Sequence, residues 1–453
     1  MTQYTIAKWA LMAWMVMGTI SRAADPMGSP VRNLEGSKPN VVYILSDDQG
    51  WGDYSFMGHP HIQTPNLDRL ARESLVFTRG YVPDSLCRPS LATIITGLYP
   101  HQHGIVGNDP PVPSTITNAK GKPYAHPDYI QVREAYFKHM DRASPLPKIL
   151  GKEGYRSLQT GKWWEGNVAR GGFDEGMTHG DMTRGGRHGD VGLKIGREGM
   201  ASIEEFVKRM SQDKKPFFLW YAPMMPHTPH DPPARLLDKY KSKTDSLPIA
   251  KYWAMCEWFD ETIGSLRSIL DQNGVADNTI IVYVCDNGWI NDPKASQYAP
   301  RSKRSPNEGG TRTPIMVHWK GHVQPRMDRE HLASSIDLVP TTLAALGLPR
   351  PSELKGINLV DNAAVSARKE IYGEIFEHDI VSMDEPKDSL MYRWVIQGAW
   401  KLIEADTRRL PQAPQYQLFD VVKDPSEDHD LSRQHPEVVS ELSRMLESHW
   451  KTR

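Results

Sequence analysis

The strongest constraint on the fold is a set of short, unbroken apolar runs, each of which stops abruptly in polar residues. Asn40-Val41-Val42-Tyr43-Ile44-Leu45 ends in Ser46-Asp47-Asp48, Pro216-Phe217-Phe218-Leu219-Trp220-Tyr221 opens into Met225-Pro226-His227, and Thr279-Ile280-Ile281-Val282-Tyr283-Val284 leads to Asp286-Asn287-Gly288. Runs of this length with no polar alternation read as strands buried on both faces, as in a parallel sheet covered by helices. Between two of them, Tyr252, Met255, Phe259, Ile263, Leu266 and Leu270 recur at helical spacing, and Asn273-Gly274 ends that helix. The alternation predicts an α/β fold: a large, mostly parallel sheet sandwiched by helices. Asp47, Asp48, Lys162, His227, Asp286 and Asn287 all fall just past expected strand ends. That edge is where open α/β sheets bind ligands.

The adjacent carboxylates Asp47 and Asp48 repel each other at a strand end unless something holds them. Either an Asx-bonded turn or a hard cation on oxygen ligands does so. A second conspicuous stretch runs from Pro83 to Gly97, with Cys87 ahead of Pro89 and the apolar Leu91-Ala92-Thr93-Ile94-Ile95. Proline suits a first helical turn and glycine the position past the last, so Cys87 is expected at a helix N-terminus. Unpaired N–H groups there would lower a thiol pKa and welcome an anion, whereas the plainer alternative is a small core cysteine. Lys303 lies ahead of Glu308-Gly309-Gly310 and a further strand at Ile315 to Trp319.

The first residues carry Lys8, an apolar run from Trp9 to Ile20, and Ser21-Arg22-Ala23. The pattern predicts a secretory signal over residues 1–23 and an exported protein, periplasmic or secreted, the alternative being an uncleaved N-terminal anchor, for which the apolar run is short. No later segment is apolar enough to span a bilayer, so no membrane association is expected of the mature form. Lys+Arg 54 against Asp+Glu 55 leaves a formal charge of −1, which supplies no general field for nucleic acid. Three cysteines in an exported chain do not make a disulfide framework. The Pro/Asn-rich stretch from Gly104 to about Ser144 reads as a surface insertion, and Gly171 to Gly199, with His179, Asp181, Arg184, Arg187 and His188, as a solvated loop or a substrate rim. We expect the main domain over 24–365. The remainder, 366–453, reads as an α+β subdomain: short strands at Trp394–Gly398, Lys401–Ile403 and Tyr416–Asp420 in a small antiparallel sheet, then a closing helix from about Pro436 to Trp450.

Taken in order, these segments resemble the type I sulfatases of the alkaline phosphatase superfamily, arylsulfatase-like, over nearly the whole mature chain. The resemblance rests on Ser46 to Asp53, Cys87-Arg88-Pro89-Ser90 with Thr96-Gly97, Gly161-Lys162-Trp163, Pro226-His227-Thr228-Pro229, Asp286-Asn287-Gly288, Lys303 with Glu308-Gly309-Gly310, and Leu418-Phe419-Asp420 with Asp424-Pro425-Ser426-Glu427. It implies a sulfuric ester hydrolase acting on a sulfated carbohydrate or other small ester. In it, Cys87 is converted to 3-oxoalanine (formylglycine) by a formylglycine-generating enzyme and Ca²⁺ is held by Asp47, Asp48, Asp286 and Asn287. Lys162 and Lys303 would neutralise sulfate oxygens, and His227 would bind sulfate or protonate the leaving oxygen. Two positions depart from the family pattern, Leu91 in place of arginine and Trp164 in place of histidine. Arg88, Glu165 or a group from the 179–190 loop would have to replace the lost contacts. The departures leave open a catalytically altered protein that binds sulfated glycans; a phosphoester or phosphonate hydrolase of the same superfamily is the other alternative. Tryptophans near the motifs, Trp51, Trp163 and Trp164, would stack on sugar faces or pack in the core.

Overall fold

The computed structural model describes residues 38–117 and 123–452, so the expected signal over 1–23 lies outside the described residues. The strands are β1 (Asn40–Ser46), β2 (Leu75–Tyr81), β3 (Arg156–Gly161), β4 (Glu175–Gly176), β5 (Phe217–Ala222), β6 (Thr279–Cys285), β7 (Arg312–His318), β8 (Arg326–Asp328), β9 (Ala333–Ser334), β10 (Glu370–Phe376), β11 (Leu390–Gln397), β12 (Trp400–Ala405) and β13 (Tyr416–Asp420). The first nine form one sheet in the order β4-β3-β5-β1-β6-β7-β2-β8, with β9 beside β2. As the unbroken apolar runs require, every residue of β1, β5 and β6 is buried. Helices cover both faces, and the two largest apolar clusters take alternate residues of β1: Val41, Tyr43 and Leu45 on one side, Val42 and Ile44 on the other.

One strand runs against the rest. β7 pairs antiparallel with both β6 and β2, whereas β1 is parallel to β5 and β6, and β3 to β5. Two reversals return β2 to the direction of β6. The carboxyl ends of β1, β2, β3, β5 and β6 therefore share one edge, and the amino end of β7 joins them. This geometry brings Lys303, which precedes a strand, to the same place as residues that follow strands.

The tail is a separate antiparallel sheet, β10-β11-β12-β13, with the helix Pro436–His449 on one face through Val395, Leu402, Leu418, Leu442 and Leu446. The expected insertion is not a surface feature throughout. Residues Pro127–Arg142 form a helix that buries Tyr129, Arg133, Tyr136, Phe137 and Met140, because those residues recur at helical spacing on one face. Cys87, Cys256 and Cys285 are all free and buried. No helix among the described residues is long and apolar enough to cross a membrane.

A buried charge cluster ties the tail to the main sheet. Lys401 of β12 is fully buried, with its Nζ 3.0 Å from Glu308 Oε1 and 3.2 Å from Glu427 Oε1. Glu427 also accepts from Glu308 N and Asn307 Nδ2, both at 2.8 Å. Glu308 and Glu427 therefore serve the junction between the two sheets. Removing the ammonium leaves two buried carboxylates facing one another, with only the longer Arg312 contact at 3.4 Å and the Tyr81 hydroxyl on Glu308, and two N–H donors on Glu427, to offset them. Lys401→Met is expected to destabilise the protein by about 3–5 kcal/mol, read as a fall in the denaturant midpoint.

Candidate active site

Cys87 is the first residue of the helix Cys87–Thr96, entered through an extended Leu86 and closed by Gly97 at φ 72°. Left-handed backbone there is what glycine permits. The cysteine side chain is buried, and two ammonium groups converge on its sulfur: Lys162 Nζ at 3.3 Å and Lys303 Nζ at 3.1 Å. Each lysine is also ion-paired with a carboxylate from the end of β1. Lys162 Nζ lies 2.8 Å from Asp47 Oδ1, and Lys303 Nζ lies 2.6 Å from Asp48 Oδ1. His227 Nε2 is 3.3 Å from Asp48 Oδ2, and Asn287 Nδ2 donates to Asp48 Oδ1 at 2.7 Å. Asp286 Oδ1 accepts from the backbone N–H of Asn287 at 2.7 Å and of Asp48 at 3.2 Å. All eight residues singled out in the sequence thus come together at one sheet edge.

The expectation of a lowered thiol pKa is not met. Burial outweighs Lys162 and Lys303 and pushes the Cys87 thiol above its ordinary value, so an unmodified sulfur here stays protonated at neutral pH. Burial alone would also raise Asp48, but Lys303, His227 and Lys162 overcome it and hold that carboxyl far below the usual range. Asp286 goes the other way: burial, then the Asp47 charge, push its carboxyl well up. His227 is lowered by burial and by Lys162.

Two features bear on a cation and on a modified residue. Asp47 Oδ2, Asp48 Oδ2, Asp286 Oδ2 and Asn287 Oδ1 are buried oxygens without a hydrogen bond. Asp47 Oδ2 does lie 2.7 Å from Lys162 Nζ, and Asp48 Oδ2 3.3 Å from His227 Nε2, in both cases without a hydrogen bond. One unsatisfied oxygen on each of four clustered groups is a costly arrangement that a hard cation would satisfy. An all-oxygen donor set fits Ca²⁺ better than Zn²⁺. At position 87, sulfur is a weak acceptor for two ammonium donors, and a hydroxyl oxygen in its place would accept both far better. The residues present therefore fit both groups.

The site opens into a cavity of about 320 Å³, bordered by Asp48, Cys87, Lys162, His227 and Lys303 and by several residues that were not anticipated in these roles. Of the three sources considered for the contacts missing at Leu91 and Trp164, only the 179–190 loop borders the cavity, through Arg187 and His188. Arg88 and Glu165 are engaged with each other by two hydrogen bonds at 2.7 and 2.6 Å, and the Arg88 guanidinium lies 4.0 Å over the Tyr136 ring. Leu91 packs in the core beside Cys87. Trp164 lines the cavity under Arg187 and His188, with 4.6 Å from the guanidinium carbon to its ring and 5.1 Å between the ring centroids of Trp164 and His188. Trp163 packs against Phe173 in the core, and Trp51 lies beneath Arg312 away from this cavity.

Sequence reading missed Trp289, Tyr298, Arg304, Asn108 and His378. Trp289 and Arg304 are each adjacent to a motif and carried a signal in that adjacency. His378 did not, because it comes from the tail just past β10; its carbonyl accepts from Asn108 N at 2.8 Å, and the pairing of Asp109 with Asp379 carries it to the cavity.

Comparison with known proteins places the chain in one family. The family pattern described as Sulfatase matches residues 39–348, and that described as N-sulphoglucosamine sulphohydrolase, C-terminal, matches residues 299–452. N-acetylgalactosamine-6-sulfatase of Homo sapiens is 31% identical over 363 residues, covering 71% of this chain, and the match spans 65% of the human protein. N-acetylgalactosamine-6-O-sulfatase of Bacteroides thetaiotaomicron is 25% identical, with 91% of this chain and 93% of that one covered. The crystal structure of Ps i-CgsB superposes with a TM-score of 0.70 at 25% identity, covering 92% of this chain and 94% of the other. With the family pattern spanning the whole main sheet, and the motif residues gathered at its edge, the chain belongs to the sulfatase family.

Proposed function

We propose that this protein is an exported hydrolase that releases inorganic sulfate from a sulfated carbohydrate, using a formylglycine derived from Cys87 and a Ca²⁺ ion held by Asp47, Asp48, Asp286 and Asn287. The observation that carries the reading is the convergence of Lys162 and Lys303 on one buried sulfur, beside four groups that each keep an unsatisfied oxygen. Relatives named for a 6-sulfatase activity on an N-acetylated amino sugar support a sugar ester as the substrate class. The formylglycine supplies, once hydrated, a hydroxyl nucleophile, and the cation supplies positive charge toward sulfate oxygens.

The chain's own residues do the rest. Lys162 and Lys303 are fixed by Asp47 and Asp48, so their ammonium groups need no reorganisation as charge builds on the sulfate oxygens in the transition state. The Thr228 carbonyl, 2.6 Å from His227 Nδ1, accepts only, which keeps a proton on that nitrogen. Nε2 then donates to sulfate or to the departing oxygen only when the ring carries a second proton, a form that the Asp48 carboxylate 3.3 Å away favours and that burial and Lys162 oppose. The apolar residues Leu91 and Trp164 favour one second reading, a binder of sulfated glycans whose Cys87 stays a thiol.

Mass separates these readings. In protein purified from an exporting host with its own maturation enzyme, the peptide spanning Cys87 is expected to be lighter by exchange of sulfur for oxygen and loss of two hydrogens. That protein should release sulfate from an aryl sulfate faster than phosphate from the matching aryl phosphate; an intact thiol with no sulfate release would leave the binder. On calcium-saturated protein, Lys303→Ala and Lys162→Ala should each lower kcat by about 10²–10³-fold, measured as sulfate release. Calcium at a hundredfold excess over its Kd should stabilise the fold by about 2–3 kcal/mol. Asp286→Asn should abolish that gain in a thermal melt while raising the melting point of calcium-free protein, because it removes one of the crowded carboxylates.

A further inference from the structure

Four cationic side chains border the cavity, and one of them has no carboxylate partner among the described residues. Lys162, Arg187, Lys303 and Arg304 all border it, and Asp48 is the single carboxylate residue among those doing so. Three of these cations have carboxylate partners: Lys162 has Asp47, Lys303 has Asp48 and Arg187 has Asp109. Arg304 has no ion pair among the described residues. Its side chain makes one long hydrogen bond, Nη1 to the Tyr298 hydroxyl at 3.4 Å, and is exposed at the cavity. Asp84 is fully buried and forms no ion pair with it; burial, then Glu374, push that carboxyl well above its usual range, against the smaller opposing pull of the Leu86 N–H and the Arg304 charge. The backbone here is held rather than loose: Arg304 N donates to Ser85 O at 2.9 Å, next to the Cys87 helix. Its φ of 65° is left-handed, a conformation non-glycine residues adopt rarely and which clusters at functional sites. Lys303 and Arg304, neighbours in sequence, thereby border one cavity, the first buried on Cys87 and the second open to solvent.

We propose that Arg304 binds a second anionic group, a carboxylate or another sulfate, carried on the same saccharide as the scissile sulfate ester. This inference rests on the sulfate-ester reading and narrows it to acidic, multiply charged sugars. A guanidinium suits the task because its planar fork matches the paired oxygens of either group, and the hydroxyl of Tyr298 is beside it to share the contact. Trp164 and Trp289 border the same cavity but are each only 3% exposed, with Arg187 and His188 on Trp164 and Tyr298 on Trp289, so they belong to its packed wall and are not open stacking faces. The pair formed is partly solvated, so it acts on affinity and weakens with salt.

The test uses three matched sulfated pyranosides: one with no other charge, one with an added ring carboxylate and one with a second sulfate. The full mature protein, wild type, Arg304→Gln and Arg304→Lys, is assayed for kcat and KM at low and high salt. Equilibrium binding of the same three compounds to Cys87→Ala protein reads the subsite without turnover. Wild type should prefer at least one dianionic compound by about five- to tenfold in KM and in Kd, a preference that shrinks as salt rises. R304Q should reduce the preference to within about twofold and R304K should keep most of it, with kcat ratios little changed. Which dianion is preferred identifies the carboxylate or the sulfate as the partner. Equal affinity for all three compounds, or a preference that survives R304Q, overturns the inference while leaving sulfate-ester hydrolysis intact. Selective binding without sulfate release from any substrate would sustain the subsite and overturn the hydrolase reading. Absence of both binding and turnover would overturn both.

Discussion

Two buried ammonium–carboxylate pairs, Lys162 with Asp47 and Lys303 with Asp48, meet at the sulfur of Cys87, and the arrangement of the sheet edge follows from keeping them there. A buried charge is tolerable only when paired and hydrogen-bonded. Here the pairing is tight for the lysines and incomplete for the acids, each of which keeps an oxygen without a hydrogen bond. The imbalance has a direction. Asp286 is pushed toward its neutral form by burial and by its acidic neighbours, whereas Asp48, beside Lys303, is held ionised. Such a cluster is stable as a set and not residue by residue, so positive charge brought among the acids would satisfy all of them at once.

The rest of the molecule reads as support for that edge. A sheet with β7 reversed brings Lys303 back to the strand ends from which Asp47, Lys162 and Asp286 emerge. The smaller sheet is attached through Lys401, Glu308 and Glu427, and from it His378 reaches the cavity. Arg88, next to Cys87 in sequence, bonds Glu165 and the Asn108 carbonyl, and its backbone N–H donates to Asn108 Oδ1 at 3.0 Å. It thereby fixes the start of the Cys87 helix without facing the sulfur. The cavity wall beyond the sulfur is aromatic and cationic, and its composition comes from loops far apart in the chain.

Much of this was legible in the chain itself. Val41 to Leu45, Phe217 to Tyr221 and Ile280 to Val284 carry one signal each, unbroken hydrophobicity over a strand's length, and each became a buried strand. Their polar terminations marked one edge because parallel strands end together. The Cys87 helix was legible from Pro89 and Gly97, which act through their own backbone preferences and need no tertiary context. The helix Pro127–Arg142 was obscured by the prolines and polar residues around it, although its buried face recurs at helical spacing. The thiol expectation failed for a different reason. A helix N-terminus is a local property, whereas the burial that raises the Cys87 pKa is created by the whole fold.

By itself the sequence determined the α/β class, the strands β1, β5 and β6, and the placing of Asp47, Asp48, Lys162, His227, Asp286 and Asn287 past strand ends, because those depend on local periodicity and on residues adjoining strand ends. Cys87 was marked by a helix start and Lys303 by family resemblance, while β2, beside β7 in the main sheet, was not anticipated. Only the tertiary structure decided which of the remaining side chains face that site. Arg88 turns away to Glu165, Trp163 packs inward, and Trp164, His188, Trp289, Arg304 and His378 border the cavity. The reason is physical: direction and burial of a loop side chain are set by contacts with segments tens to hundreds of residues away, and no local pattern of amino acids records them.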